Sequence, residues 1–402
     1  MSKWAKKPLV HILQTLESGS RPKGGVGALT SGVPSLGGEH LTKDGGFDFS
    51  EIKYVSEEFF EQMPRGHIQP NDILIVKDGA TTGKTAFVTE DFPHQRAAIN
   101  EHIFLLRPKT DFILPRFLFF FLFGPWGQTQ ILACYKGAAI GGISKEFASS
   151  VQVPLPPLPE QQRIVQMLDE ADQLRRLRAD ADRRTAKLIL AIFNDIFGEQ
   201  TRWPQEPLHR LLLAIESGWS PVCRDEPANP HEWGVLKLSA VTLGEYREGA
   251  NKALPQEFTP RPELEVRQGD VLFTRKNTHE LVAATAYVWN TRPKLMLSDL
   301  VFRLRPKPEM GIEPLYLCYS LANPAKRHEI QKLAGGAAGS MPNISKERLL
   351  SATIPLPPLQ LQRVFALRAT EIRALREEQD VSRQNLDDLC EALLHRAFCG
   401  EL

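Results

Sequence analysis

The chain repeats itself once, at an interval of about half its length. Six short motifs of the first half return in the second half in the same order, displaced by 198 to 201 residues. The matching segments are 17–19 with 216–218, 72–74 with 270–272, 85–88 with 285–288, 104–109 with 302–307, 143–146 with 344–347 and 153–158 with 354–359. Because both the order and the offset are kept, the 402 residues form two versions of one unit.

Each unit begins with a part that predicts a globule of short strands and loops. Apolar runs such as Asp72–Val76 and His102–Leu106 are separated by Gly and Pro, which is typical of strands joined by turns. An apolar helix is expected near Arg116–Phe123 and again near Leu315–Leu321. A Pro-Leu-Pro-Pro-Leu segment then ends the globule, since proline fixes its own φ and cannot continue a strand ladder.

A long helix is predicted after each globule, because Glu160 to Phe197 and Leu361 to Phe398 contain neither Gly nor Pro. At 1.5 Å per residue, each helix would span about 55 Å. Residues at alternating spacings of three and four indicate a heptad seam on each helix. The first seam consists of Ile164, Met167, Ala171, Leu174, Arg178, Ala181, Thr185, Leu188 and Ile192. The second consists of Ile372, Leu375, Leu386, Leu389 and Leu393.

Neither seam can be buried by its own helix, so we expect the two helices to pair as an antiparallel coiled coil. This pairing predicts an α+β fold with two globules at opposite ends, related by pseudo-twofold symmetry. The predicted domains are a first globule at 1–155, a first helical region at 156–205, a second globule at 206–357 and a second helical region at 358–402. The alternative is that each helix packs on its own globule.

Composition limits the function classes. The chain has 49 Lys+Arg against 48 Asp+Glu. This nearly neutral balance excludes a protein that binds nucleic acid through its net charge alone. Five scattered cysteines argue against a disulfide framework and a zinc site, and fit a reducing cytoplasm. The apolar run Phe117–Phe123 is too short to cross a bilayer. We therefore expect a cytoplasmic protein without a membrane partner, and only weak, salt-sensitive DNA binding by the chain alone.

The repeated unit resembles the specificity subunit of type I restriction–modification systems. The resemblance covers essentially the whole chain and rests on Pro154–Leu158 and Pro355–Leu359, each followed by a Gln-Arg pair. The segments Asp72–Val88 and Ile143–Leu158 also resemble the target recognition domains of that family.

The resemblance implies a subunit that carries out no chemistry. Each globule would recognise one half of a split double-stranded DNA target, and the helices would separate the halves and bind two methyltransferase subunits. Motor–nuclease subunits would join through these. S-adenosylmethionine, ATP and Mg²⁺ would be bound by the partners, and no cofactor by this chain. Because segments 20–25 and 219–224 differ, the target is expected to be asymmetric.

Basic residues in Gly-rich or turn-like segments are the candidate DNA contacts, since Lys and Arg bind phosphates and Arg also reads guanine. They are Arg21, Lys23, Lys77, Lys84, Lys136, Lys145, Arg224, Arg275, Lys276 and Lys346. For each one, a solvated surface charge is an equally good interpretation. The clusters Gly137–Gly142 and Gly335–Gly339 would let the backbone approach DNA closely, or form mobile loops.

Two local motifs suggest other functions. Gly79–Thr85 resembles a phosphate-binding loop but is one residue too short. A turn between two strands is therefore favoured over a nucleotide site. The functional hypothesis for this turn is a loop that faces DNA. Asp169–Asp172 matches a helicase signature, and we interpret it as a solvated helix face. The rival functions are a fused methyltransferase or nuclease, for which no base-holding motif is present, and a coiled-coil adaptor that does not read DNA.

Overall fold

The computed structural model describes residues 4–23, 25–26, 29–137, 141–198, 202–335 and 341–401. The chain divides into two compact units. Unit 1 joins residues 1–181 to residues 380–402, and unit 2 consists of residues 182–379. Each unit therefore contains one globule and a part of both long helices.

The globule of unit 1 is built from short strands and short helices. In chain order, the elements are β1 (Lys6–Pro8), α1 (Leu9–Ile12), β2 (Leu13–Ser18), β3 (Val33–Leu36), β4 (Tyr54–Val55), α2 (Glu57–Gln62), β5 (Ile73–Val76), β6 (Thr85–Phe87), β7 (Ala98–Ile99), β8 (Ile103–Pro108), α3 (Pro115–Phe123), α4 (Pro125–Leu132), α5 (Phe147–Ser150) and β9 (Gln152–Pro154). The first long helix, α6 (Leu158–Phe197), follows. The two strands and the apolar helix that the sequence predicts here are confirmed to within two residues.

The globule of unit 2 repeats this element order with small changes. The elements are β10 (Gln205–Pro207), α7 (Leu208–Leu211), β11 (Leu212–Ser217), β12 (Gly234–Leu236), β13 (Asn251–Ala253), β14 (Val271–Thr274), β15 (Thr285–Tyr287), β16 (Leu295–Met296), β17 (Val301–Pro306), α8 (Pro314–Ala322), α9 (Pro324–Gln331), α10 (Lys346–Ser351) and β18 (Thr353–Pro355). The second long helix is α11 (Leu359–Cys399). The duplication in the sequence is therefore a duplication of the fold.

Equivalent sheets form in the two units. An antiparallel four-stranded sheet has the order β2-β8-β5-β6 in unit 1 and β11-β17-β14-β15 in unit 2. A three-stranded sheet has the order β4-β3-β7 in unit 1 and β13-β12-β16 in unit 2, and its last pair is parallel. A two-stranded ribbon, β1-β9 or β10-β18, brings the beginning of each globule beside the strand that precedes its long helix.

Two repeated motifs support these sheets. Gly19 approaches the carbonyl oxygen of Ile99 so closely that a Cβ would lie 1.6 Å from it, and the same contact joins Gly218 to Leu297. A side chain at either glycine is therefore sterically excluded. Under the sheet of unit 1, Arg107 binds the fully buried Asp72 with two hydrogen bonds of 2.8 and 2.7 Å, and Asp72 raises the pKa of Arg107.

The helices α6 and α11 pair antiparallel in unit 1. The Sγ of Cys390 lies 3.8 Å from the carbonyl oxygen of Ala171, and Arg175 Nε donates to Asp387 Oδ1 at 3.0 Å. Because a later residue of α6 meets an earlier residue of α11, the two helices run in opposite directions. Near the end of α11, the ring of Phe398 lies 5.2 Å from that of Phe117, within the core of the globule.

The same pairing occurs in unit 2, where the end of α6 packs against the start of α11. The rings of Phe193 and Phe197 lie 5.3 and 5.8 Å from that of Phe365. Phe197 also contacts Tyr316 of α8 at 4.9 Å, so the paired helices continue into the globular core. The predicted antiparallel pairing is confirmed, and the helices also pack on the globules, which the sequence offered only as an alternative.

The buried stripe of the helices differs from the predicted heptad seam. On α6, Leu174 and Leu188 are exposed, whereas Leu168, Ile189 and Phe193 are buried. On α11, the exposed residues of the predicted seam are Leu375 and Leu389. Buried positions such as 164 and 168, or 189, 193 and 197, are four residues apart, because a helix that also packs on a globule presents a broader face than a strict coiled-coil seam.

The interpretation of Asp169–Asp172 as a solvated helix face holds for Asp169, whose side chain is 43% exposed, and for Glu170, but not for Asp172, which is 15% exposed. Arg116 of α3 places its Nε 2.6 Å from Asp169 Oδ1 and its Nη2 3.3 Å from Asp172 Oδ2. The Arg116 guanidinium is also held over the ring of Phe120 at 4.5 Å. The two carboxylates are thus used to neutralise a partly buried arginine.

Candidate nucleic-acid interface

Two loops of unit 1 bring three of the predicted DNA contacts together. The amide of Ile143 donates to the carbonyl of Lys77 at 2.7 Å, and Lys136 and Gly142 exchange two backbone hydrogen bonds of 2.9 and 3.0 Å. We call residues 77–79, 136–137 and 141–145 the first loop group. It places Lys77, Lys136 and Lys145 on neighbouring backbone segments, and the latter two are exposed.

Acidic side chains lie beside Lys77 of the first loop group and beside the nearby Arg21. Lys77 Nζ lies 3.9 Å from Asp78 and 5.8 Å from the centre of the Phe104 ring. His102 lies 2.6 Å from Asp78 and 3.4 Å from Glu101. Arg21 lies 2.6 Å from the same Glu101, so a row of polar side chains connects Arg21 to Lys77 through His102. A phosphate or base at this surface would therefore compete with carboxylates for these cations.

The equivalent loops of unit 2 carry a different set of side chains. The amide of Ile344 donates to the carbonyl of Arg275 at 2.8 Å, which matches the bond between Ile143 and Lys77. Gly335 and Asn343 also exchange two backbone bonds of 2.9 Å. We call residues 275–277, 335 and 341–346 the second loop group. Its exposed Lys276 stands where the first loop group has Asp78, so the local charge is reversed.

An aromatic ring supports the cations of the second loop group. The Arg275 guanidinium lies 4.9 Å from the centre of the Phe302 ring, and Lys346 Nζ lies 5.9 Å from it. Arg275 Nε donates to Asn343 Oδ1 at 3.1 Å. Such contacts limit the rotamers of Arg275 and hold its guanidinium in one place. Arg275, Lys276 and Lys346 are therefore gathered on one surface.

Lys84 differs from the other candidate DNA contacts because its ammonium group is hydrogen-bonded to the backbone of its own globule. Its Nζ donates to the carbonyls of Gly38 and Leu41 at 2.9 and 2.8 Å. An ammonium has three N–H donors, so one is left for another acceptor. Gly79–Thr85 forms the turn between β5 and β6, as the sequence favoured, and Lys84 fastens this turn to the loop after β3.

Lys23 and Arg224 lie in loops at the start of their globules. Lys23 is exposed in a turn in which the Gly25 amide donates to the Pro22 carbonyl at 3.0 Å. Arg224 is also exposed and its amide donates to the carbonyl of Ala253 at 3.3 Å. Arg224 lines an open groove of about 590 Å³.

An aromatic cluster that no sequence pattern predicts lies beside this groove. The guanidinium of Arg261 lies 4.2 Å from the centre of a Trp219 ring, and Trp219 packs edge-on against Phe258 at 5.7 Å. Phe258 also lines the groove. Trp219 begins a segment that we selected because it differs between the repeats, but no local signal pointed to Arg261.

The charges in and beside the groove are balanced, since Arg224 and Glu257 both line it and Lys252 is paired with Asp225 nearby. Lys252 Nζ donates to Asp225 Oδ1 at 2.6 Å, and this contact raises the pKa of Lys252 and lowers that of Asp225. Burial raises the pKa of the nearby Cys223 thiol, so this cysteine stays neutral. The groove is therefore bordered by stable charges and an uncharged thiol.

The Gly-rich segments are only partly described. Residues 138–140 of the first segment and 336–340 of the second lie outside the described residues, as does Gly24. Within the part of the chain that the structure describes, no group of three or more His, Cys, Asp and Glu side chains is arranged to hold a metal ion. None of the described helices is long and apolar enough to cross a membrane.

Comparison with known proteins identifies the repeated unit. A family model described as "Type I restriction modification DNA specificity domain" matches residues 22–180 and 247–368, more than two thirds of the chain. The type I restriction enzyme EcoEI specificity subunit of Escherichia coli is 40% identical over 162 residues, which cover 40% of this chain and 27% of that protein. The EcoKI specificity subunit of Escherichia coli K12 is 24% identical over 388 residues, 90% of this chain and 80% of that protein.

Solved structures show the same fold. A chain from work on the complex assembly and conformational transition of the type I R-M system has a TM-score of 0.59 at 19% identity, and the match covers 99% of this chain and 98% of that one. The type I restriction–modification S subunit from M. genitalium has a TM-score of 0.56 at 14% identity, with 99% and 96% covered.

Proposed function

Because the chain belongs to the family of type I restriction–modification DNA specificity domains, we propose that it is the DNA-recognition subunit of such a complex. Unit 1 and unit 2 each contact one half of a split double-stranded target. The observation that carries this proposal is the pair of equivalent loop groups, in which the same backbone bonds present different side chains. Different side chains on the same scaffold recognise different bases, so the target is asymmetric.

The chemistry of the second loop group suits a base contact. Arg presents a planar fork of N–H donors, and the pair of acceptors N7 and O6 on guanine matches it in the major groove. Asn343 holds Arg275 through Nε, which leaves the terminal nitrogens of the guanidinium as donors. Lys276 and Lys346 are suited to phosphates because an ammonium binds as a point charge.

The neutral charge balance supports a shared interface with partner subunits. A chain with a formal net charge of +1 neutralises few phosphates by itself. In this proposal, two methyltransferase subunits bind along α6 and α11 and complete the positive surface around the duplex. Motor–nuclease subunits join through them, and S-adenosylmethionine, ATP and Mg²⁺ belong to these partners. The chain itself is non-catalytic and holds none of these cofactors.

The long helices carry exposed apolar residues that the methyltransferase subunits cover in this proposal. Leu177 of α6 and Val381 of α11 are 60% and 63% exposed in unit 1. Leu367 of α11 is 63% exposed in unit 2.

Methylome sequencing of cells with and without this gene tests the proposal. We expect one split, asymmetric motif to lose its methylation when the gene is deleted. Footprinting with the purified partner methyltransferase should then protect both halves of this motif. Unchanged methylation would contradict the proposal, and a stable complex that protects no DNA would favour the adaptor function.

A further inference from the structure

A cavity of about 170 Å³ opens in unit 2 beside β15, α8 and α11. Four aromatic residues line it together with polar and charged side chains, among them Glu245 and two arginines of α11. The aromatic residues are Tyr246, Tyr287, Trp289 and Tyr319, and the arginines are Arg373 and Arg376. We call this space the unit 2 cavity. An apolar cavity of about 150 Å³ holds a benzene ring, so this one has room for a single aromatic ring.

A buried hydroxyl in the wall has no partner. Thr285 is 2% exposed and lines the cavity, and its Oγ1 makes no hydrogen bond. The equivalent Thr85 of unit 1 accepts a hydrogen bond from Gln128 at 3.2 Å and donates one to the Gly83 carbonyl at 2.9 Å. A buried polar group without a partner is destabilising, and a ligand with a donor or acceptor in the cavity would satisfy it.

The corresponding place in unit 1 is filled by the chain itself. The guanidinium of Arg116 lies 5.0, 4.9 and 4.5 Å from the centres of three phenyl rings. These rings belong to Phe87, Phe119 and Phe120. Asp169 and Asp172 neutralise the guanidinium, as described above. In unit 1, the Arg116 guanidinium therefore fills the aromatic pocket, and the acidic residues beside the pocket balance its charge.

Unit 2 lacks this internal cation and carries the opposite charge. By the repeat register, Leu315 stands in the place of Arg116, and it is buried in the core. Thr370 and Arg373 replace the two aspartates. The aromatic wall is kept by Tyr287 and Tyr319, while Ala322 replaces the larger Phe123. The result is an open pocket with aromatic side chains, lined by two arginines and one glutamate, so that its net charge favours an anion.

We propose that the unit 2 cavity binds a small anion that carries one six-membered aromatic ring. The ring enters between the aromatic side chains, where stacked or edge-on contacts are favourable. The phosphate or carboxylate stays at the edge, where Arg373 and Arg376 give charge-assisted hydrogen bonds. A polar atom of the ring system bonds to the Thr285 hydroxyl.

The present partners of the two arginines are easily exchanged. Arg376 lies 3.2 Å from Glu245, whose side chain is 57% exposed, and Arg373 lies 3.1 Å from Glu377, whose side chain is 58% exposed. Exposed ion pairs contribute little to stability, so an incoming anion displaces these carboxylates at low cost.

Calorimetric titration of the full-length chain with uridine monophosphate and with 4-hydroxyphenylacetate tests the proposal, since the ring of each probe offers a polar atom to Thr285. Both probes carry one six-membered aromatic ring and one anionic group. Binding of either supports the proposal. Inorganic phosphate and benzyl alcohol, which lack the ring and the charge respectively, should bind at least about tenfold more weakly. The proposal is overturned if neither ring-bearing anion binds, or if a control compound binds equally well.

Three variants locate the binding. Ala322→Phe restores the side chain of unit 1 and should abolish binding by filling the cavity. Arg376→Gln should weaken binding about tenfold through the lost charge-assisted bond. Thr285→Val should raise the melting temperature of the free chain and weaken binding, whereas the matched Thr85→Val should lower the melting temperature. Unchanged affinity in both Ala322→Phe and Arg376→Gln would place the ligand elsewhere and overturn the assignment.

Discussion

Gln161 Oε1 accepts a hydrogen bond of 2.8 Å from the backbone amide of Leu114. Its Nε2 donates to the carbonyls of Phe112 and Pro156, both at 2.9 Å, and the side chain is fully buried. Gln362 makes the equivalent three bonds in unit 2. One glutamine in each unit thus joins the start of the long helix to the proline segment and to the apolar helix of the globule.

Replacement of this glutamine should destabilise its unit. Gln161→Leu removes three hydrogen bonds and leaves buried backbone groups unpaired, so we expect a loss of about 3 kcal/mol in the free energy of unfolding. Chemical denaturation followed by circular dichroism measures the loss. The neighbouring Gln162 is exposed, and Gln162→Leu serves as the matched control, which should change stability by less than about 0.5 kcal/mol. Equal stability of the two variants would contradict the structural role of Gln161.

Arg275→Gln should relax the recognition of one base pair. If Arg275 reads guanine, we expect a loss of about 1–3 kcal/mol of discrimination at one position of one half-site. Lys346→Gln should instead weaken binding to all sequences and reduce the salt dependence by about one phosphate contact. Fluorescence anisotropy of the complex with its methyltransferase, at several salt concentrations, separates the two effects. Lys53→Gln, whose partner is Glu39, is the control. A uniform loss of affinity in Arg275→Gln would assign this arginine to a phosphate.

Lengthening both helices should change the target. Insertion of four residues into each of α6 and α11 adds about 6 Å of helix. At about 3.4 Å per base pair, the preferred gap between half-sites should increase by about two base pairs. Methylome sequencing of cells that carry the lengthened variant measures the gap. An unchanged gap would show that the helices do not set the distance between the recognised sequences.

Lowering the pH should reduce the free energy of unfolding of unit 2, partly through protonation of Glu216. Burial opposes its charge, but contacts with Arg303 and Arg305 lower its pKa below the usual 4.5. A carboxyl with a lowered pKa stabilises the folded state above the unfolded pKa, and this stabilisation is lost as the pH falls through the folded pKa. The free energy of unfolding should therefore fall below about pH 4.5, and less steeply in Glu216→Gln. An identical pH dependence of the two proteins would contradict the assignment.

The sequence predicted the architecture because the strongest signals are local or repeated. The absence of Gly and Pro between residues 160 and 197 located α6, which the structure extends by only two residues to Leu158. The seam was predicted less well, because the heptad pattern assumes that a helix packs only on another helix. Phe193 and Phe197 instead follow the period of a helix that also faces a globular core.

The candidate interface was harder to predict, because its residues meet through backbone pairing between distant loops. Lys77 and Ile143 are 66 positions apart, and no sequence pattern indicates the hydrogen bond between them. Arg116 illustrates the same difficulty. Its neighbours Asp169 and Asp172 suggested a solvated surface, since the stacking of an arginine on three phenyl rings depends on tertiary structure alone.

The position of Phe398 in the core of unit 1 has a consequence for the order of folding. The rings of Phe117 and Phe121 are covered by a residue that is synthesised more than 270 positions later. A nascent unit 1 must therefore leave part of its apolar core open while the whole of unit 2 is being translated. A ribosome that stops before this last helical segment releases a chain with exposed phenyl rings, which is a natural substrate for chaperones and proteases.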